Sequence, residues 1–120
     1  MALFAGREIK ISFRLIVEVI SVTTVFVTYS GNVDDRFDRD HYVNVHLPMA
    51  VRLLGRYGLL SAEAFFPATD NSTIRAACTI TFRDDEALRT AMSAPEMAPL
   101  VEDLEKFTNM TPVQHRLTQS

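Results

Sequence analysis

The sequence predicts an α+β domain over residues 21–120 that follows the order β-α-β-β-α-β, with an antiparallel sheet and helices on one face. Three observations lead to this fold class. Four short segments carry the β-branched and aromatic residues typical of strands. Two longer stretches between them repeat apolar residues at helical spacing. Clusters of glycine, proline, asparagine and aspartate separate the segments, and 120 residues suffice for one core but not for two.

The first strand and a central hairpin are the clearest β segments. Residues 23–35 predict a strand that ends in a turn, because β-branched and aromatic residues give way to Ser, Gly, Asn and Asp. Residues 59–68 predict a second strand, which Pro67 closes. Residues 69–72 then form a turn, and residues 73–82 return as the antiparallel partner strand.

Two helical pieces and a short strand follow the hairpin. Residues 83–94 predict a helix with Asp84 as its N-cap, followed by acidic residues that suit a helix N-terminus. Residues 93–107 predict a second piece, whose first turn holds a proline, either Pro95 or Pro99. Residues 111–117 predict the last strand, and Pro112 near its start favours an edge position.

Residues 1–20 precede this domain and predict an extra strand. Arg14 and Glu18 interrupt the apolar stretch, and no small-residue cleavage site follows, so we expect neither a signal peptide nor a membrane span. Apolar residues alternate along residues 9–19, which is the pattern of a strand. An unpaired strand invites association, so pairing within a dimer or a higher oligomer is the economical expectation. The alternative is a poorly ordered extension from an upstream start codon.

Composition narrows the class of partner. The hydrophobic fraction of 48% and the charged fraction of 22% are ordinary for a globular protein. A net charge of −3 with scattered basic residues argues against nucleic acid as the partner. Cys78 is the only cysteine, so no disulfide can form within the chain, and a reducing cytoplasm is the expected compartment. It alternates with apolar residues, which predicts a buried core thiol rather than a nucleophile.

The stretch "DRDHYVNVHLPMAVRLLG", residues 38–55, predicts the first helix and carries two histidines. At about 100° per residue, His46 lies in the middle of the apolar face, and Tyr42 lies one turn before it. His41 is five residues from His46 and therefore points about 140° away from it. We expect His46 to lie in a ligand pocket and His41 to lie outside it.

The start and the middle of this helix have their own signals. Asp38 predicts the N-cap, and Phe37 with Tyr42 predicts a hydrophobic staple. Pro48 cannot donate to the carbonyl four residues earlier and disfavours helical geometry at Leu47. The helix is therefore expected to kink or restart over residues 46–48.

Two interpretations of His46 stay open from the residues alone. It is either a core histidine bound to a backbone carbonyl, or an imidazole that donates to a ligand or moves a proton near neutral pH. For His41 and His115 we expect structural roles. A helical zinc pair needs histidines four apart, so the spacing here argues against a metal. Neither a glycine-rich phosphate loop nor a G-x-S-x-G motif occurs in the sequence.

Two motifs resemble those of the EthD family, which is named for ethyl tert-butyl ether degradation. Phe37-Asp38, followed by Tyr42 and His46-Leu47-Pro48, is similar to the family pattern F-D-x-x-Y-Y-x-x-x-H-x-P. "FTNMTP" in residues 107–112 is similar to its late F-T-D-x-x-P segment. His41 stands where the family often has a second tyrosine, and Asn109 stands where it often has aspartate.

The resemblance implies a dimeric α+β barrel, in which two ferredoxin-like sheets pack face to face. It also implies a cavity between helix and sheet that is lined by Phe, Tyr and His. We expect this cavity to bind or convert a small apolar carbonyl or phenolic compound without a cofactor or metal, in a degradation pathway. The expected chemistry is proton transfer of the isomerisation, cyclisation or decarboxylation type. His46 and Tyr42 are the expected catalytic pair, and the remaining expected ligand contacts are Phe26, Phe37, Phe107, Thr108 and Asn109.

Two rival functions remain at this stage. The first is a non-catalytic ligand-binding or oligomerisation module in which His46 is structural. The second is a haem-handling barrel with His46 as the axial ligand. We expect a homodimer, with no nucleic acid and no membrane among its partners.

Overall fold

The computed structural model of the chain describes residues 22–118. The strand predicted over residues 9–19 lies outside the described residues. Within the described part, no helix has both the length and the apolar composition that crossing a membrane requires.

Within residues 22–118, four strands form one antiparallel sheet in the order β2-β3-β1-β4. The strands are β1 Thr23–Ser30, β2 Leu59–Phe65, β3 Ile74–Phe82 and β4 Pro112–Leu117. Among residues 22–118, three helices join them: α1 over residues 39–54, α2 Asp85–Met92 and α3 Met97–Phe107. A short 3₁₀-helix, Gly55–Tyr57, follows α1. The order β-α-β-β-α-β with the first and third strands adjacent is the ferredoxin-like arrangement, which confirms the predicted α+β fold class.

The caps and breakers lie where the sequence predicts them. The Asp84 carboxylate accepts a hydrogen bond from the Ala87 backbone N–H at 2.8 Å, and Asp38 caps α1 through the His41 N–H at 3.1 Å. The Phe37 and Tyr42 rings lie 5.0 Å apart edge to face, which confirms the staple.

Strand alternation gives the sheet two different faces. Val25, Val27 and Tyr29 of β1 are buried beneath the helices, and Cys78 of β3 lies in this core as predicted. Phe26 points to the opposite face, because neighbouring residues of a strand alternate in direction. The inner face therefore forms the core, and we call the opposite one the outer face.

Helix α1 changes its geometry along its length. It begins as an α-helix over Arg39–His41, widens to a π-helix over Tyr42–His46 and returns to an α-helix over Leu47–Leu54. In the π turn, the Leu47 backbone N–H bonds the Tyr42 carbonyl five residues earlier. The predicted restart over residues 46–48 is confirmed, and Pro48 occupies the first turn of the second α-helical piece.

Candidate functional site

A cavity of about 200 Å³ lies between the inner face of the sheet and helices α1 and α3. Its walls are mostly apolar, and it is bounded by exposed residues such as Val101 and Gln114, so it opens to the surface beside β4. An apolar cavity of roughly 150 Å³ can hold benzene, so this space suits a ligand of about one ring. Polar atoms come from a small part of its lining: Tyr29, Tyr42, His46, Cys78 and Gln114.

His46 is buried in the cavity wall and is held from behind by a carboxylate. Its Nδ1 lies 2.9 Å from Oδ2 of Asp103, a buried residue of α3. An ionised carboxylate can only accept, so Nδ1 carries the hydrogen and donates it to Asp103. Among residues 22–118, Nε2 of His46 makes no hydrogen bond, and it is not one of the fully buried polar atoms.

His41 binds the same carboxylate, contrary to the prediction that it points away from His46. Its Nε2 lies 2.9 Å from Oδ2 and 3.0 Å from Oδ1 of Asp103. The angular estimate was wrong because a π turn brings residues five apart together, whereas an α-helix separates them. His41 does not line the cavity, as predicted. We call His41, Asp103 and His46 the His–Asp–His cluster.

Burial, rather than its partner Asp103, keeps His46 neutral at neutral pH. Burial lowers the pKa of His46 because it penalises the imidazolium, and this outweighs the opposing effect of Asp103. Burial alone would raise the pKa of Asp103, but the hydrogen bonds from His46 and His41 bring it below its ordinary value. The cluster therefore pairs an ionised carboxylate with a neutral imidazole whose Nε2 keeps its lone pair.

Tyr42 supplies a second polar atom with unused hydrogen-bonding capacity. Its ring is fully buried and stacks on His46, with the ring centres 5.8 Å apart and the planes 16° apart. Within residues 22–118 its hydroxyl has no hydrogen-bond partner. Burial, followed by the nearby Cys78, raises the pKa of this hydroxyl, so it stays protonated and can donate.

Phe107 and Phe37 pack behind this pair rather than in the cavity wall. The Phe107 ring lies 4.7 Å from the His46 ring and 6.0 Å from the His41 ring, so it packs against both imidazoles of the cluster. Phe37 packs edge to face on Tyr42 and Phe107. Neither phenylalanine lines the cavity, so their contribution is to fix the rings that do.

The side chains of Thr108 and Asn109 bind backbone groups and do not line the cavity. The Thr108 hydroxyl donates to the Arg36 carbonyl at 2.8 Å and accepts from the Met110 N–H at 3.0 Å. The Asn109 side-chain oxygen accepts from the Arg36 N–H at 2.9 Å. The Asp38 N–H donates to the Phe107 carbonyl at 2.7 Å. These bonds tie residues 107–110 to residues 36–38, and we call this arrangement the clip.

Phe26 lies outside the site. It is on the outer face, where its ring packs 6.2 Å from that of His115. The buried residues on either side of it, Val25 and Val27, take the inner positions. His115 is exposed on the same face and lies 3.2 Å from the Thr28 hydroxyl.

Asp103 is the member of the site that the sequence analysis missed. A signal for it exists, because it lies three residues after Leu100 and four before Phe107, on the apolar face of α3. An acidic residue at such a position needs a partner. No group of three or more His, Cys, Asp or Glu in the described part of the chain is arranged to hold a metal ion.

The fold and this cluster define a ferredoxin-like domain with a small apolar cavity and a histidine in its wall. The family model named EthD domain matches residues 31–111. That match spans about two thirds of the sequence, and the chain belongs to the EthD family. No curated protein matches the sequence.

Solved structures with the same fold include two of the same family. An EthD-like protein from Ralstonia eutropha JMP134 is 22% identical with a TM-score of 0.68, covering 80% of this chain and 89% of that chain. An EthD family protein from Bacillus halodurans C-125 is 20% identical with a TM-score of 0.59, covering 81% and 99%. A variant of a cofactor-independent oxygenase from Streptomyces nogalater is 15% identical with a TM-score of 0.55, covering 82% and 94%.

Proposed function

We propose that the protein binds or converts a small apolar carbonyl or phenolic compound without a cofactor. The observation that carries this proposal is the position of His46 in the wall of an apolar cavity, where burial lowers its pKa. Its Nδ1 is bound by Asp103, so Nε2 is left with a lone pair for a ligand. Apolar walls with a few convergent polar groups are typical of small-ligand sites.

The proposed chemistry is proton transfer to His46. Nε2 accepts a proton from a phenolic O–H, or from a C–H next to a carbonyl, and the electron pair stays on the ligand as phenolate or enolate. Asp103, already bound to Nδ1, stabilises the imidazolium that forms. The buried Tyr42 hydroxyl lies beside His46 without a partner among the described residues, and it donates to the oxygen that gains negative charge once the ligand has opened a path to it. Return of the proton to another atom of the same ligand completes an isomerisation. In a cyclisation, the enolate carbon first bonds to a second carbonyl carbon of the ligand, and the oxygen of that carbonyl takes the proton. In a decarboxylation, His46 takes the proton from a carboxylic acid, the C–C bond to the carboxylate breaks to release CO₂, and the proton returns to the carbon that held it.

Family and fold add general support. The EthD family is named for ethyl tert-butyl ether degradation, which supports a role in a degradation pathway. The oxygenase from Streptomyces nogalater is described as cofactor-independent, and its fold is shared. The single buried thiol, Cys78, supports the cytoplasm as the proposed compartment.

Calorimetric titration with three one-ring probes tests binding: p-cresol, cyclohexane-1,3-dione and δ-valerolactone. We expect one of these classes to bind the natural protein and to lose at least about tenfold in affinity in His46→Gln, which is about 1.4 kcal/mol. His115→Gln, on the outer face, is the matched control and keeps wild-type affinity. Absence of binding to all three, with a melting temperature lowered by His46→Gln, would favour the structural interpretation of His46.

Hydrogen exchange separates conversion from binding. In D₂O near neutral pD, the natural protein is expected to catalyse exchange of the protons next to the carbonyl of 4-methylcyclohexanone, followed by NMR. His46→Gln removes the base and abolishes this catalysis. Binding of a probe without any exchange would favour the second candidate, a non-catalytic ligand-binding module.

We also propose that the protein is a homodimer formed through the outer face. The support is a set of apolar side chains on that face: Phe65 is 51% exposed, Val113 50% and Leu117 45%. The face of a sheet that meets water is normally polar, so these side chains favour a covering partner. Sedimentation is expected to give a dimer that Val113→Asp converts to monomers. A monomeric natural protein would exclude this assembly.

A further inference from the structure

We propose that His41 is a positioning residue for His46. Through Asp103, it fixes which ring nitrogen of His46 carries the proton, so that Nε2 remains an acceptor at the cavity. That a ligand binds Nε2 rests on the proposed function, but the effect of His41 on the tautomer of His46 is a property of the free protein. It is therefore testable without any ligand.

The local geometry of α1 makes the contact available. The π turn over Tyr42–His46 brings His41 and His46 to the same side of the helix, facing α3. A regular α-helix would place residues five apart on different faces and leave one imidazole unable to reach Asp103. Single π turns are often found at functional sites, and this one joins two imidazoles to one carboxylate.

His41 binds both oxygens of the carboxylate, whereas His46 binds one. Nε2 of His41 lies 3.0 Å from Oδ1 and 2.9 Å from Oδ2 of Asp103. Nδ1 of His46 lies 2.9 Å from Oδ2. A carboxylate held by His46 alone could rotate about its own bond. With His41 bridging its two oxygens, the plane is fixed and Oδ2 stays opposite Nδ1 of His46.

The burial of the three side chains shows that His41 acts from the solvent side. The His41 side chain is 21% exposed, against 7% for Asp103 and 11% for His46. His41 does not line the cavity, so it reaches a ligand only through Asp103. Phe107 packs against both imidazole rings, and the polar connection between the two rings runs through the Asp103 carboxylate.

The tautomer of His46 is the direct readout, and two-bond ¹⁵N–¹H NMR spectra of the imidazole ring report it. In the free natural protein at neutral pH, we expect one tautomer, protonated at Nδ1. In His41→Phe the carboxylate loses its bridge, so the Nε2-protonated tautomer becomes populated. In His41→Gln an amide N–H takes the place of Nε2–H, and the single tautomer is expected to return.

Controls separate positioning from packing. His115→Phe changes a histidine on the outer face and is expected to leave the His46 spectrum unchanged. His41→Leu repeats the test if His41→Phe does not fold. The proposal is overturned if these apolar variants keep the pure Nδ1-protonated tautomer while Asp103→Asn loses it. It is also overturned if a folded His41→Gln behaves as His41→Phe does. Failure of every probe ligand to bind would instead count against the proposed function alone.

Discussion

The clip and the His–Asp–His cluster both contain residues that the family motifs single out, yet their polar atoms are used differently. In the clip, the Thr108 hydroxyl makes two backbone hydrogen bonds, and the Asn109 oxygen makes a third. In the cluster, Asp103 fixes one nitrogen of His46, while the other nitrogen has no partner among the described residues. The neighbouring Tyr42 hydroxyl is also unpaired there.

This difference shows which motif residues are able to perform chemistry. A polar group whose hydrogen bonds already go to backbone stabilises the fold and has little capacity left for a ligand. A buried polar group without a partner lowers stability, and a ligand can supply that partner. The clip therefore positions the start of α1, and His46 with Tyr42 faces the cavity. Substitutions in the two regions should therefore have different effects on stability and on ligand affinity.

Asp103→Ala is expected to have the largest effect. It leaves two imidazole N–H groups without their acceptor, so the free energy of unfolding should fall by about 3 kcal/mol in urea titrations at pH 7. Probe binding is lost as well. Asp34→Ala removes an exposed carboxylate that has no hydrogen-bond or ion-pair partner among residues 22–118 and serves as the control, with a loss within about 0.5 kcal/mol. Equal losses in the two variants would contradict the importance given to the cluster.

Thr108→Val tests the clip. The Met110 N–H, which is buried, loses its acceptor, and the Arg36 carbonyl loses its donor. We expect a loss of about 2 kcal/mol in the free energy of unfolding, measured in urea, with unchanged affinity for the probe that binds. A large loss of affinity in a folded Thr108→Val protein would instead indicate that Thr108 contacts the ligand.

Tyr42→Phe tests the opposite behaviour. It removes a buried hydroxyl that has no partner among the described residues, so the free energy of unfolding should rise by about 1 kcal/mol and the melting temperature should rise with it. Affinity for a phenol or carbonyl probe should fall at the same time. A variant that is less stable than the natural protein would mean that the hydroxyl has a partner in solution.

The pH dependence of stability is expected to carry a contribution from His46. Its pKa is lowered in the folded protein, so the unfolded chain binds this proton more readily. The contribution is present above the ordinary histidine pKa of about 6.5 and is lost as the pH falls toward the folded value. In urea titrations between pH 8 and pH 5, the free energy of unfolding should therefore decrease less steeply for His46→Gln than for the natural protein. Parallel curves for the two proteins would show that burial does not depress this pKa.

Asn109→Asp is expected to have the smallest effect. The carboxylate can still accept from the Arg36 N–H, but it meets the Asp35 carboxylate that the amide now contacts at 3.4 Å. Both groups are exposed or partly so, and the change in unfolding free energy should stay within about 0.5 kcal/mol. Probe affinity should not change. A gain in affinity would mean that residue 109 takes part in the site.

The fold and one half of the site could be predicted from the sequence. The spacing of apolar residues and the positions of glycine and proline predict the strands and helices. The preference of aspartate for helix N-termini predicts Asp38 and Asp84 as N-caps, as the structure has them. The apolar face of α1 indicated Tyr42 and His46 as neighbours, and their rings do stack. These features are local, so nearby residues are enough to predict them.

The other half depends on geometry that a helical wheel does not contain. Pro48 indicates that α1 is perturbed, but not that the preceding turn widens to a π-helix, and His41 was therefore assigned to the wrong side. Asp103 contacts the histidines only because α3 packs on α1, which the sequence does not show. Its position on the apolar face of α3 nevertheless indicates a buried acidic residue that needs a partner. Phe26 lies on the outer face, a consequence of strand alternation relative to Val25 and Val27.

The ring nitrogens of His46 offer the most direct test of the central claim, that its Nε2 meets a ligand in the cavity. ¹⁵N NMR spectra at neutral pH would be compared for the free protein and for the protein saturated with the probe that binds. We expect that the Nε2 resonance moves on binding, that Nδ1 keeps the proton it donates to Asp103 and that the His115 resonances stay in place. A saturated complex in which His46 does not move, while another part of the protein does, would contradict it.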